Sequence, residues 1–172
     1  MSARGPSDGA GVPAESRSTS TAPRVAAAGA RRIDRGQVPR LYAIADGDAL
    51  LRGSDGGAAE RVTAVVTAVD AMAAAGVRWI QLRLKSLTDR ERFLIGDAAA
   101  RRLRWTGAAL WIDDRADLAA VLGAAGVHVG QADLSPASVR RVVGDAQWIG
   151  LSCHDAGQVA AAERDLDVDV VA

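Results

Sequence analysis

The sequence predicts an α/β fold built on a parallel sheet. Two observations carry this. From Pro39 onward, short apolar runs of strand length alternate with stretches whose apolar residues recur every three or four positions. The connections between them are tight, and such β-α-β-α alternation favours a parallel sheet covered by helices. The chain has 172 residues, 49% of them hydrophobic, enough for one domain with a core. A doubly wound sheet and a (β/α)8 barrel both fit the pattern. It supplies five βα units and a sixth strand over about 130 residues, where a complete barrel usually takes ~200–250, so a barrel here would be incomplete.

The elements follow in order. Leu41–Asp46 (LYAIAD) reads as a buried strand, and the Gly-rich GDALLRGSDGG after it as a loop. In AAERVTAVVTAVDAMAAAG, Val62, Val65, Val66, Val69 and Met72 keep helical spacing, and Gly76 is the stop. VRWIQLRLK is the second strand. The next helix opens at Thr88, with Glu91 three residues on as a capping box, and carries Arg101, Arg102 and Arg104 in its last turn, where cations are favourable. ALWID, VHVG and QWIGLS are strands. Between them lie RADLAAVLGAAG, a short helix closed by glycine, and SPASVRRVVG, with Ser135 at the N-cap and Pro136 at the first helical position. Asp155 opens a last helix, and VDVVA begins a sixth strand.

Composition excludes several classes of function. The formal net charge is zero, which gives no electrostatic footprint for nucleic acid or an anionic membrane. Aromatic residues make up 3%, too few for stacking platforms. No apolar run is long enough for a transmembrane helix, and the N-terminus lacks a signal core. The sole cysteine, Cys153, forms no intramolecular disulfide, which suits a cytoplasmic location. Residues 1–38 hold almost no large apolar side chains and are expected to be a disordered tail ahead of a domain at 39–172. The tail is somewhat rich in Arg and Ser, as transit peptides are, but Asp8, Glu15 and Asp34 argue against that reading. There is no GxGxxG fingerprint, P-loop or GxSxG elbow.

In parallel α/β folds, ligands bind where the strands end. There the sequence places Asp46; Gln81, Arg83 and Lys85; Asp113, Asp114 and Arg115; Gly130, Gln131 and Asp133; and Ser152, Cys153 and His154. IQLRLK alternates strictly, with Gln81, Arg83 and Lys85 on one face, and holds the one lysine of a chain whose other cations are all arginine. Such a row inside a protein needs an anionic partner, and Arg and Lys together suit phosphate oxygens. An edge strand with one solvated face is the plainer reading. Asp114 and Asp133, ending consecutive strands, could share a hard cation such as Mg²⁺, or could be ordinary loop and cap aspartates. His128 within its strand reads as packed and hydrogen-bonded, whereas His154 past a strand end is better placed for chemistry.

Taken together, PRLYAIAD, IQLRLK, DDRADLA, GVHVGQADL and IGLSCH at successive strands resemble thiamine-phosphate synthase, over residues 39–172. The resemblance implies an incomplete (β/α)8 barrel of thiamine biosynthesis. Its reaction joins an aminopyrimidine methyl diphosphate to a thiazole phosphate and releases diphosphate with Mg²⁺. It implies that Gln81, Arg83 and Lys85 hold the pyrimidine diphosphate, that Asp113 and Ser152 contact the same substrate, and that Asp114 and Asp133 ligate Mg²⁺. Arg83 and Lys85 would stabilise the leaving diphosphate. The family usually has Asn where this chain has Asp113. Its Gly-Pro…Thr-x-Thr-Lys loop, which follows the sixth strand, is not in this sequence. The chain alone is therefore expected to be inactive and to self-associate through an unclosed barrel edge. The sister thiazole tautomerases share the barrel and use a histidine for proton transfer, a role His154 could fill. A remnant that only binds diphosphates is a third possibility.

Overall fold

The computed structural model describes residues 38–172. The tail expected over residues 1–38 lies outside the described residues apart from Val38. Six strands form one sheet in the order β1-β2-β3-β4-β5-β6, every neighbouring pair parallel. They are β1 (Tyr42–Asp46), β2 (Trp79–Arg83), β3 (Ala109–Asp113), β4 (Gly126–Val129), β5 (Trp148–Leu151) and β6 (Val170–Val171). Sequential order is that of a barrel, in which each crossover moves one place along the sheet. A doubly wound sheet would reverse at a switch point.

The helices are α1 (Gly47–Leu50), α2 (Ala58–Ala74), α3 (Asp89–Leu103), α4 (Ala116–Leu122), α5 (Pro136–Val143) and α6 (Ala156–Ala162). Their starts follow local chemistry. Thr88 Oγ1 accepts from Glu91 N–H while Glu91 Oε2 accepts from Thr88 N–H, completing the capping box of α3. Ser135 and Asp155 cap α5 and α6 as expected. Gly76, at φ 87°, occupies the left-handed region just past α2, where a side chain would be strained. The four-residue α1 replaces the start of the expected loop. Asp46 nucleates it by accepting from Ala49 N–H, and so short a helix has no periodicity to read.

Strand side chains alternate between two environments. Ile80, Leu82, Leu110, Ile112, Val127, Val129, Ile149 and Leu151 pack against helix residues such as Val65, Val69, Ile95, Ala119 and Val139 in the main core. The other face carries rings: Tyr42, Trp79, Trp111, His128 and Trp148. Trp79 of β2 and Trp148 of β5 lie 5.6 Å apart between centroids, and Tyr42 of β1 and His128 of β4 lie 6.0 Å apart. In a flat sheet, strands three places apart are separated by about 14 Å. The sheet is therefore curled, with the rings on its concave side, as in a TIM-type barrel wall. Glycine makes room for this layer. A Cβ on Gly126 would sit 2.6 Å from Trp111 Cζ3, and one on Gly150 would collide with the His128 ring.

Candidate active site

Strand β2 lies between β1 and β3, so its polar row is not the solvated face of an edge strand. Gln81, Arg83 and Lys85 point to the concave side and grade from floor to mouth: Gln81 is 3% exposed, while the Lys85 side chain is 41% exposed. All three converge on Asp113 of β3. Gln81 Nε2 donates to its Oδ1 at 2.8 Å, and Lys85 Nζ and Arg83 Nε lie 3.2 and 3.9 Å from its Oδ2. Arg83 Nη1 also donates to Asp46 Oδ2 at 2.5 Å, across the β1–β2 register that pairs these two residues.

Adjacent strand residues normally face opposite ways. Asp114 nevertheless reaches the same lysine as Asp113, because it sits at φ 58°, a left-handed conformation that Asp tolerates better than most residues. Its N–H donates to His128 O at 2.8 Å and its carbonyl accepts from Ala116 N–H, which fixes the turn. The turned carboxylate pairs with Lys85 Nζ.

These contacts set the ionisation of the site. Burial, reinforced by the charge of Asp114, pushes the Asp113 carboxyl above its ordinary value, and Lys85 and Arg83 offset this in part. The Ala49 N–H, with help from Arg83, holds the Asp46 carboxyl below its usual range. Pairing with Asp114 raises the Lys85 ammonium.

A second layer fixes the loops that carry these groups. Arg92, one turn into α3, donates from Nε to Leu84 O at 2.8 Å and from Nη2 to Lys85 O at 2.6 Å, anchoring the backbone of Lys85. Its Nη1 pairs with Asp89, which also pairs with Arg115 of the turn after β3; Arg115 in turn holds Asp117. This chain ties the ends of β2 and β3 together. The sequence marks Asp46 and Arg115 as polar residues at strand ends but does not single out Arg92. A one-sided arginine on a helix carries no local signal for two backbone acceptors on the preceding loop.

The fourth and fifth strands add a separate group. Asp133 folds back on its own loop, its Oδ2 accepting from Gly130 N–H at 2.8 Å. Gln131 Nε2 donates to Ser152 O at 2.7 Å, linking the ends of β4 and β5. Ser152 Oγ lies 2.9 Å from His128 Nε2, so His128 is packed and hydrogen-bonded in the ring layer and fixes the serine hydroxyl. Burial lowers the His128 pKa, opposed by the charge of Asp114. His154 is exposed, and its backbone N–H donates to Gln158 Oε1. Its ring makes no hydrogen bond or ion pair among the described residues. The structure thus joins Gln81, Arg83, Lys85, Asp113 and Asp114 in one network, and Ser152 with His128 in another. Asp133 and His154 stand outside both.

No group of three or more His, Cys, Asp and Glu among the described residues is disposed to hold a metal ion. Mg²⁺ does not require one. It takes hard oxygen donors, one or two carboxylates with waters and substrate phosphates completing the shell, and the aspartates of the turns after β3 and β4 are donors of that kind. Among the described residues no helix is long and apolar enough to cross a membrane.

The family profile described as thiamine monophosphate synthase matches residues 55–172. Thiamine-phosphate synthase of Acidothermus cellulolyticus is 43% identical over 101 residues, covering 59% of this chain and 48% of that protein. The Koribacter versatilis thiamine-phosphate synthase is 36% identical over 128 residues, covering 74% and 57%. Among solved structures, thiamine phosphate pyrophosphorylase from Pyrococcus furiosus superposes with a TM-score of 0.62 at 25% identity, over 76% of this chain and 57% of that one. The chain spans about half the length of the curated relatives it matches.

Proposed function

This chain belongs to the thiamine monophosphate synthase family, and from that premise we propose that it carries the pyrimidine-diphosphate half of a thiamine-phosphate synthase site. The reaction joins aminopyrimidine methyl diphosphate to thiazole phosphate. The bond from the methylene carbon to the diphosphate oxygen breaks, the electron pair leaves with diphosphate, and the thiazole nitrogen bonds to that carbon. The observation that carries this reading is the convergence of Gln81, Arg83 and Lys85, graded from the floor to the mouth of one strand, on Asp113, with Asp46 and Asp114 on either side.

The chemistry asks for stabilisation of negative charge on a leaving group, and the protein needs no nucleophile of its own. Arg83 offers a planar fork and Lys85 a mobile point charge to the diphosphate oxygens. Asp46 holds the Arg83 guanidinium, and Arg92 holds the backbone of Lys85. Ser152, oriented by His128, would contact the pyrimidine diphosphate, as would Gln81 and Asp113. Asp114 and Asp133 would hold Mg²⁺, which when bound supplies positive charge to the diphosphate oxygens. The reading also carries a cytoplasmic location.

The tautomerase alternative would use His154, but among the described residues no hydrogen bond or ion pair orients that ring. Incubation with isotopically labelled thiazole carboxylate, without any pyrimidine substrate, tests the choice. No isomerisation above the uncatalysed rate is expected. Isomerisation lost in His154→Gln would move the assignment to the tautomerase side.

A further inference from the structure

The cations and the acids of this site are paired with each other. Three carboxylates, Asp46, Asp113 and Asp114, face two cations, Arg83 and Lys85. Lys85 Nζ lies on Asp114 and 3.2 Å from Asp113, so the group proposed to receive the anion occupies the group proposed to receive the metal. We propose that Lys85 is an internal counter-ion of the metal site, exchanged for a divalent cation as the diphosphate enters, so that metal and diphosphate bind with positive coupling. This inference rests on the diphosphate–Mg²⁺ reading above and adds how the two ligands communicate.

The argument is electrostatic. Arg83 and Lys85 are both engaged by carboxylates, so an added anion meets no free cation among these five side chains. A divalent ion alone must displace an ammonium from Asp114 while Asp133 stays engaged with Gly130 N–H. Each ligand alone therefore meets a penalty that the other removes. A metal on Asp114 releases Lys85, and the freed ammonium, still anchored at its backbone by Arg92, is at hand for the anion. Coupling of this kind is reciprocal, the metal tightening the anion by the factor the anion tightens the metal.

Removal of the lysine should therefore strengthen metal binding, the opposite of what loss of a binding residue usually does. Mn²⁺ affinity is measured by electron paramagnetic resonance on the wild-type chain, Lys85→Gln and Lys85→Arg, with and without inorganic diphosphate. A circular dichroism spectrum of each establishes that they fold alike. Without diphosphate, Lys85→Gln is expected to bind Mn²⁺ about tenfold more tightly than wild type, and Lys85→Arg to remain close to wild type. With diphosphate, wild type gains affinity and Lys85→Gln gains much less. Equal or weaker Mn²⁺ binding by Lys85→Gln overturns the inference and leaves the diphosphate–metal reading standing. Absence of Mn²⁺ binding in all three chains, even with diphosphate, overturns that reading and the inference with it.

Discussion

Asp113 is the side chain on which the polar row of β2 converges, and its burial shows what the site asks of it. It accepts from Gln81, as an Asn oxygen also could, yet its charge is disfavoured by burial and by Asp114 and would oppose a diphosphate bound at the proposed site. Asp113→Asn should therefore tighten inorganic diphosphate with Mg²⁺, by about three- to tenfold in a calorimetric titration; unchanged or weaker binding would contradict this. His128 makes a prediction of a different kind. Burial lowers its folded pKa below the ordinary value of 6.5, so the unfolded chain binds the proton more readily. Its contribution is full above pH ~6.5 and is lost as the pH falls through the folded value. Denaturant midpoints should decline from about pH 6.5 towards pH 5, above the range where carboxylates titrate, and His128→Gln should flatten that slope. Gly150 gives the same ring its place. Gly150→Ala should cost about 1–3 kcal/mol by overpacking and break the His128–Ser152 contact.

At the scale of elements, the strands and helices were legible wherever the chain carries periodicity or a cap. The Thr88–Glu91 box and the Ser135–Pro136 start stand in the structure as the sequence writes them. The residue types at the strand ends were legible too. Their pairing was not, because Arg83–Asp46 and Lys85–Asp114 join different strands and depend on register and on the left-handed turn at Asp114. Long-range ties at the opposite end of the sheet were equally silent. Arg140 of α5 is 8% exposed and bonds Gly144 O, Gln147 O and Asp167 O, while its Nη2 lies 2.7 Å from Asp169 Oδ2, which also accepts from Ile149 N–H. This staple joins α5 to β5 and the approach to β6. Arg140→Ala leaves the Asp169 carboxylate buried without its cation and should cost about 3–5 kcal/mol in chemical denaturation. Arg140→Met with Asp169→Asn should recover part of that loss, since Asn keeps an oxygen for Ile149 N–H. Additive losses would show the pair is not coupled.

For the whole molecule, sequence periodicity allowed two sheet architectures, and the arrangement of rings distinguishes them. Tyr42, Trp79, Trp111, His128 and Trp148 meet across strands up to three places apart, which only a curled sheet permits. That curl turns the ends of β1, β2 and β3 toward a common mouth, where Lys85 pairs with Asp114, the contact on which the proposed coupling of two ligands rests. The central claim is that these strand ends form a Mg²⁺-dependent diphosphate site. Its most direct test is calorimetric titration of aminopyrimidine methyl diphosphate into the wild-type chain and Arg83→Gln, each with and without Mg²⁺. Wild type should bind saturably, require Mg²⁺ to do so, and bind at least about tenfold more tightly than Arg83→Gln. No binding by wild type, or binding indifferent to both Mg²⁺ and Arg83, would contradict it.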